Sequence, residues 1–131
     1  MIKVYVAGAY SADNVLDVLN NMRRGIKLAT EVFKEGLAPF CPWLDYHYVF
    51  NFEEEYRPSV DMFYNMSIEW LKVSDAVLVV DHPNSAKSFG TKKELECAKK
   101  LHIPIFYHLK DLKDWATEQK ELSKLKEEIR N

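Results

Sequence analysis

The chain has 131 residues, which suits a single domain built around one hydrophobic core. Hydrophobic residues make up 47% and charged residues 29%, and the net charge of −2 argues against a surface that binds DNA or RNA. No apolar run approaches the roughly 18 residues of a membrane span. The apolar start is too short for a signal peptide, and the two cysteines form neither a disulfide framework nor a metal motif. We therefore expect a cytoplasmic protein that needs no metal or other cofactor.

Apolar patterning predicts strands and helices that alternate along the chain. Residues 2–7 are apolar with little polar alternation, which is typical of a strand covered on both faces. An apolar stripe from Val15 to Phe33, at spacings of three and four, predicts a helix over 13–34 that ends before Gly36. The same patterns predict strands at 37–41, 76–80 and 103–107, helices at 59–73 and 91–101, and a charged helix at about 111–130.

This alternation predicts parallel strands joined by right-handed crossovers. We expect one α/β domain over residues 1–131, doubly wound in the Rossmann-like or flavodoxin-like manner. Its parallel sheet has four to five strands, in the order 2-1-3-4.

Two segments are predicted to be loops, residues 43–58 and residues 81–89. The first contains six aromatic side chains, and a loop of this length in a small domain is usually functional. It can serve as a lid or a pocket wall, or it can pack against a second subunit or cover a hydrophobic face.

The segment from Ser88 to Glu94 is the strongest candidate for a functional site. It follows the apolar run 76–80 and opens the helix predicted from Thr91, so it lies at the carboxyl edge of the sheet, where open α/β folds bind ligands. A turn at Gly90 and the helix start offer N–H groups to an anion. Thr91 and Glu94 also fit a T-x-x-E capping box, which is the purely structural alternative.

A carboxylate at this position can attack the anomeric carbon of a sugar. Displacement of a nucleobase passes through an oxocarbenium-like state, which a carboxylate stabilises or captures covalently. The reaction also needs an acid that protonates the departing base.

The segment 88–94, the strand before it and the start Val4–Gly8 resemble the nucleoside 2-deoxyribosyltransferase family, whose branches include deoxynucleoside 5′-monophosphate N-glycosidases. The resemblance covers residues 2–108. It implies that Glu94 is the nucleophile. It also implies that the opening strand and turn line the substrate pocket, through Tyr5, Gly8, Ala9 and Tyr10.

Ser88 and Gly90 are expected to bind substrate. Family members that act on free nucleosides carry Asp at the position of Ser88, and those that act on monophosphates carry Ser. A hydroxyl donates to a phosphate where a carboxylate repels it, so Ser88 favours a 5′-monophosphate, unless it only shapes the turn. Lys87, Lys92 and Lys93 either favour a phosphate here or are simply solvated.

The family places an aspartate where this chain has Ser67, and a serine cannot act as a carboxylic acid. Ser67 is therefore expected only to contact substrate. Asp45, Asp61 and Glu69 are possible substitutes, and Asp45 also joins a base pocket if the aromatic segment folds over the site.

The leading hypothesis is cleavage or transfer at the N-glycosidic bond of a (deoxy)nucleoside or, preferentially, its 5′-monophosphate. A non-catalytic nucleotide-binding module is the alternative, because the acid at position 67 is missing. A third hypothesis is a phosphoribohydrolase of the lysine-decarboxylase-like type, which shares the pattern Gly90-Thr91-x-x-Glu94. The resemblance implies a homodimer or larger homo-oligomer, in which Tyr107 and His108 are candidates to complete a neighbouring site.

Overall fold

The structure is a computed structural model that describes residues 1–131. Strands and helices alternate along the chain as the sequence predicts. In chain order they are β1 (Lys3–Ala7), α1 (Val15–Lys34), β2 (Ala38–Phe40), a 3-10 helix (Pro42–Asp45), α2 (Tyr46–Val49), α3 (Val60–Lys72), β3 (Ala76–Val79), α4 (Pro83–Lys87), α5 (Phe89–Lys100), β4 (Ile105–Phe106) and α6 (Leu109–Arg130).

The four strands form one parallel sheet in the order β2-β1-β3-β4. This confirms the predicted α/β class, the parallel pairing and the strand order. Tyr5 in the central strand β1 pairs with Phe40 of β2 on one side and Val77 of β3 on the other. Residues Val4–Ala7 are fully buried because helices cover both faces of the sheet.

The core consists of two layers, one on each face of the sheet. Successive strand side chains point to opposite faces, so β1 contributes to both layers. One layer contains Val4 and Val6 with side chains of α1 and α6, and the other contains Tyr5 and Ala7 with side chains of α3 and α5.

Both segments predicted to be loops contain short helices, so those predictions were wrong in part. The 3-10 helix Pro42–Asp45 and α2 occupy the start of the first segment, and α4 occupies the second. Pro42 and Pro83 stand at the first helical positions, where a proline loses no hydrogen bond. Such short helices carry no periodic apolar pattern, which is why the sequence did not indicate them.

The last helix packs on the domain only along its first half. Leu112 and Ala116 are buried, and Trp115 lies 5.4 Å from Phe106 between ring centroids. Leu122 and Ile129, further along the same helix, are 49% and 85% exposed.

The predicted apolar stripe of α1 faces the core along the middle of the helix but not at its two ends. Ala29 is buried and Met22 and Ile26 pack against the core, whereas Val15 and Phe33 are exposed.

The buried side of α1 also includes Asn21, Gly25 and Val32, which the predicted stripe does not contain. Trp43 from the 3-10 helix packs on this side. It is fully buried, lies directly on the backbone of Gly25 and donates its indole N–H to the Ala9 carbonyl at 3.1 Å.

We predict that Gly25→Ala destabilises the protein by about 1–3 kcal/mol, although alanine is the better helix former by about 1 kcal/mol. A Cβ at position 25 would lie 2.3–2.4 Å from the Trp43 ring, so the indole must move. Urea denaturation measures the change.

Gly90→Ala is the matched control, because a Cβ there meets nothing closer than 4.0 Å. It should leave stability unchanged or raise it by up to about 1 kcal/mol. Equal stability of Gly25→Ala and the native protein would contradict the proposed packing constraint.

Candidate functional site

Helix α5 begins at Phe89, two residues before the predicted start. Ser88 is the N-cap, since its Oγ accepts a hydrogen bond from the Thr91 N–H at 3.2 Å. The predicted helix start at Thr91, the turn at Gly90 and the T-x-x-E capping box are therefore wrong. Serine caps a helix at least as well as threonine, and the earlier serine takes this role.

The shifted start moves Glu94 into the second turn of α5, where a capping role is impossible. Its Oε2 atom is buried and has no hydrogen-bond partner. Burial raises the pKa of Glu94 to about 8. An unpartnered buried carboxyl costs stability, which makes this position a candidate for function.

Tyr5 of β1 is a polar neighbour of Glu94. Its side chain is fully buried, and its hydroxyl has no hydrogen-bond partner. Burial raises the pKa of Tyr5 well above its ordinary value, and the charge of the adjacent Glu94 raises it further. The two groups are close, yet no hydrogen bond of regular geometry joins them.

Ser67 of α3 completes this group, which we call the Glu94 cluster (Tyr5, Ser67 and Glu94). Ser67 is buried and lies beside the Tyr5 hydroxyl. A third unpartnered atom, the Thr91 hydroxyl, is buried in the first turn of α5. The structure thus brings together three of the predicted site residues from β1, α3 and α5.

An aromatic column connects the Glu94 cluster to the surface. The Tyr5 ring stacks on Phe40 with 5.4 Å between centroids, and Phe40 stacks on Trp70 with 5.7 Å. Trp70 is 53% exposed on α3, so stacked rings lead from the inside of the site to solvent.

The other predicted site residues lie at the same carboxyl edge but form a separate group. Gly8 follows β1, and a Cβ there would lie 2.8 Å from Val80, so glycine permits the close approach of the chain after β3. The Ala9 carbonyl accepts from the Trp43 indole. Tyr10 donates its hydroxyl proton to Asp45 Oδ1 at 3.1 Å.

Asp45 is the second buried carboxyl at this edge. Burial raises its pKa, and the hydrogen bond from Tyr10 acts in the opposite direction. Of the three acids considered as substitutes for position 67, only Asp45 is buried. Glu69 is exposed in an ion pair with Lys72 at 3.1 Å, and Asp61 is exposed.

Sequence reasoning missed Asn21, which is buried in α1. Its side-chain amide donates to the Tyr10 carbonyl at 3.2 Å, and its Oδ1 accepts from Arg24 at 2.7 Å and from Asn84 at 3.3 Å. The network ties the chain after β1 to α4 and lines a narrow crevice beyond the carboxyl ends of β1 and β3. The one signal for Asn21 in the sequence was its position beside the apolar stripe of an amphipathic helix.

A larger cavity of about 460 Å³ lies at the amino-terminal end of α3, and its walls include Val49, Phe52, Tyr56 and Phe63. Phe52 contacts Tyr56 edge-on at 4.9 Å between centroids. Phe63 precedes Ser67 by four residues, about 6 Å along the helix axis. The cavity therefore begins about one helical turn from the Glu94 cluster.

The model of the family described as a domain of unknown function, DUF7768, matches residues 2–108. The chain belongs to this family. No curated protein matches it. The structure is similar to that of a 2-deoxyribosyltransferase from the psychrotolerant bacterium Bacillus psychrosaccharolyticus, with a TM-score of 0.52 and 18% identity over 79% of this chain and 69% of that one. At this identity the likeness establishes a shared fold for the DUF7768 chain.

None of the helices of this DUF7768 chain is both long and apolar enough to cross a membrane. No group of three or more His, Cys, Asp or Glu side chains is arranged to hold a metal ion.

We predict that Glu94→Gln is more stable than the native protein at pH 9, by about 2–4 kcal/mol, and that the gap closes near pH 5. The folded-state pKa of about 8 lies above the ordinary 4.5. Glu94 therefore holds its proton in the folded but not in the unfolded chain between these values, so the folded state loses stability as pH rises from about 4.5 to 8, and the loss is complete above 8. Glutamine carries no charge at either pH.

Urea denaturation of both proteins at pH 5, 7 and 9 measures this gap. Glu96→Gln is the control, because Glu96 is exposed on the same helix, and its gap to the native protein should not widen with pH. A gap for Glu94→Gln that is independent of pH would contradict the burial of an unpartnered carboxyl.

Proposed function

We propose that this protein cleaves or transfers at the N-glycosidic bond of a nucleoside 5′-monophosphate, with Glu94 as the nucleophile. The observation that carries the proposal is the buried Glu94 Oε2 atom, which has no hydrogen-bond partner of regular geometry and lies next to the buried Tyr5 hydroxyl at the carboxyl edge of a doubly wound sheet. The fold shared with a 2-deoxyribosyltransferase supports the same chemistry.

In the proposed reaction the ionised Glu94 attacks the anomeric carbon as the bond to the base breaks. The bonding electrons leave with the base nitrogen, and a glycosyl ester forms on Glu94. Water then releases the sugar in a hydrolase, whereas a second base takes it in a transferase. The Tyr5 hydroxyl, a donor without an acceptor, can hold the carboxylate while it is ionised.

We propose Asp45 as the acid that protonates the departing base. Ser67 cannot supply a proton of suitable acidity, and Asp61 and Glu69 are exposed. Burial favours the neutral, proton-bearing form of Asp45, and Tyr10 fixes one of its oxygens.

The aromatic cavity suits the base. Its volume of about 460 Å³ is in the range of small-molecule sites, and ring faces such as Phe52 and Phe63 stack on flat heterocycles. Val49 follows Asp45 by four residues and Phe63 precedes Ser67 by four, so two of the cavity walls come from helical segments next to these site residues.

The monophosphate preference rests on the start of α5. Ser88 Oγ accepts from the Thr91 N–H, which leaves the hydroxyl proton free to donate to a phosphate. The side of Gly90 where a Cβ would stand is open, so a ligand can approach the backbone there. The free N–H groups of a helix start favour an anion.

Under this proposal the partner is a small molecule, and a second copy of the chain completes the site in a cytoplasmic homo-oligomer. Tyr107, which follows β4 and is 51% exposed, is the residue that we propose to contact this second copy.

A non-catalytic nucleotide-binding module is the second candidate. It is favoured by Ser67, which stands where the resemblance expects an acid, and by the raised pKa of Glu94, which keeps the nucleophile largely protonated near pH 7. This candidate predicts thermal stabilisation by nucleotides without release of base.

We predict that Glu94→Gln releases base at least about a thousandfold more slowly than the native protein, since the covalent step is lost. For the native protein, kcat/KM should rise with pH and level off above about 8, because the attacking form is the ionised carboxylate. Chromatography of a panel of nucleosides and monophosphates, with and without an acceptor base, measures both.

Glu96→Gln is again the control and should release base at the native rate. Unchanged turnover in Glu94→Gln would contradict the assignment of Glu94 as the nucleophile. Nucleotide binding without any free base from the native protein would favour the binding module.

We predict that Asp45→Asn lowers kcat about a hundredfold for a purine nucleotide, within the usual range for loss of a general acid. The same variant should be nearly as active as the native protein on the N7-methylated nucleotide, whose cationic base leaves without a proton. Asp61→Asn is the exposed control. Equal loss on both substrates would show that Asp45 is not the proton donor.

A further inference from the structure

Lys93 precedes Glu94 in α5, and its ammonium lies over two aromatic rings. Its ammonium lies 4.5 Å from the ring centroid of Phe89 and 5.5 Å from that of Tyr64. Helical side chains point back toward the helix start, and here the ammonium reaches the first residue of α5. The charge therefore lies at the amino-terminal end of the helix, one turn before its own backbone.

No carboxylate neutralises this ammonium. None of the three ion pairs in the structure involves Lys93, although Glu96 stands three residues further along the same helix. Lys34 and Lys72 do form such pairs, each with a glutamate three residues before it. A cation held against ring faces keeps its full charge for an anionic ligand.

An independent feature of the same turn indicates a ligand. The Thr91 side chain is 1% exposed, and its hydroxyl has no hydrogen-bond partner. Glu94 Oε2, one turn further along the same side of the helix, is also unpartnered. Buried polar atoms are normally hydrogen-bonded, so their grouping at one helix start is typical of a binding site.

The neighbouring lysines lack this placement. Lys92 and Lys87 are exposed, as Lys93 is, but their ammonium groups lie neither over an aromatic ring nor in an ion pair with a carboxylate. Lys92 has the same charge at nearly the same place in the sequence, so it separates the effect of a fixed cation from that of net charge.

We propose that Lys93 is the residue that makes this site select a phosphorylated ligand over the corresponding nucleoside. The ammonium binds the phosphate of a nucleoside 5′-monophosphate, while the Ser88 hydroxyl and the first N–H groups of α5 donate to the remaining phosphate oxygens. The inference rests on the proposed function and names the group that sets its substrate preference.

The test compares Lys93→Met, which keeps the apolar stem, with Lys93→Arg and with the matched control Lys92→Met. We expect Lys93→Met to lower kcat/KM for a deoxynucleoside 5′-monophosphate about ten- to a hundredfold, as for one lost charged hydrogen bond. The value for the unphosphorylated deoxynucleoside should change less than about twofold. Lys93→Arg and Lys92→Met should keep the native ratio of the two substrates.

A binding experiment separates this inference from the proposed reaction. Calorimetric titration of Glu94→Gln with 2-deoxyribose 5-phosphate and with inorganic phosphate needs no turnover, and adding Lys93→Met should weaken both about ten- to a hundredfold. Equal weakening by Lys92→Met, equal loss for phosphorylated and unphosphorylated ligands, or no phosphate binding at all would each overturn the assignment. Absence of base release with Lys93-dependent phosphate binding would instead reject only the reaction.

Discussion

The parallel pairing of β1 with β3 is the constraint on which the rest of the structure depends. The two strands are joined at both ends: the Asp75 N–H donates to the Lys3 carbonyl at 2.8 Å, and the Val80 N–H donates to the Ala7 carbonyl at 2.8 Å. This pairing places the chain after β1 against the chain after β3, where Gly8 meets Val80. It also fixes which side chains of β1 point to each face of the sheet, so that Tyr5 faces α3 and α5. A shift of one residue would turn Tyr5 to the opposite face and leave Glu94 without its neighbour.

The Glu94 cluster lowers stability locally, and the surrounding layers hold it in place. Two unpartnered buried groups, the Tyr5 hydroxyl and the Glu94 carboxyl, each carry the cost of lost hydration. Fully buried neighbours such as Leu71 and Ala98 belong to the same layer and supply the apolar contacts that offset this cost. A site of this kind is locally destabilising, and in return its carboxyl has a pKa far from the value in water.

The sequence predicted the fold well because the fold depends on patterns that are local in the chain. Alternating strands and helices, with short apolar strands, permit very few parallel topologies, and the observed strand order follows from them. The short helices at Pro42 and Pro83 were missed since one turn of helix carries no periodic signal. The middle of the apolar stripe of α1 was predicted correctly, but the burial of Gly25 was missed because it depends on Trp43, eighteen residues away.

Some features of the candidate site were predicted and others were not, because some depend on contacts between residues that are distant in the sequence. The grouping of Tyr5, Ser67 and Glu94 followed from the family resemblance, and the structure places these residues together. The start of α5 was misplaced because Ser88 and Thr91 are both good caps, and only the folded backbone distinguishes them. The difference between Lys92 and Lys93 depends on where the rings of Phe89 and Tyr64 lie, which no pattern in the sequence records.

The stacked rings of Tyr5, Phe40 and Trp70 form a continuous path of contacts from the buried site to the protein surface. Neighbouring ring planes are inclined by only 22–24°, so a tilt of Tyr5 changes its contact with Phe40, which in turn contacts Trp70. The outermost ring is half in water, where indole emission is sensitive to polarity. Trp70 is therefore an intrinsic fluorophore on the outside of α3 that is connected to the neighbour of the buried carboxyl by continuous aromatic contacts.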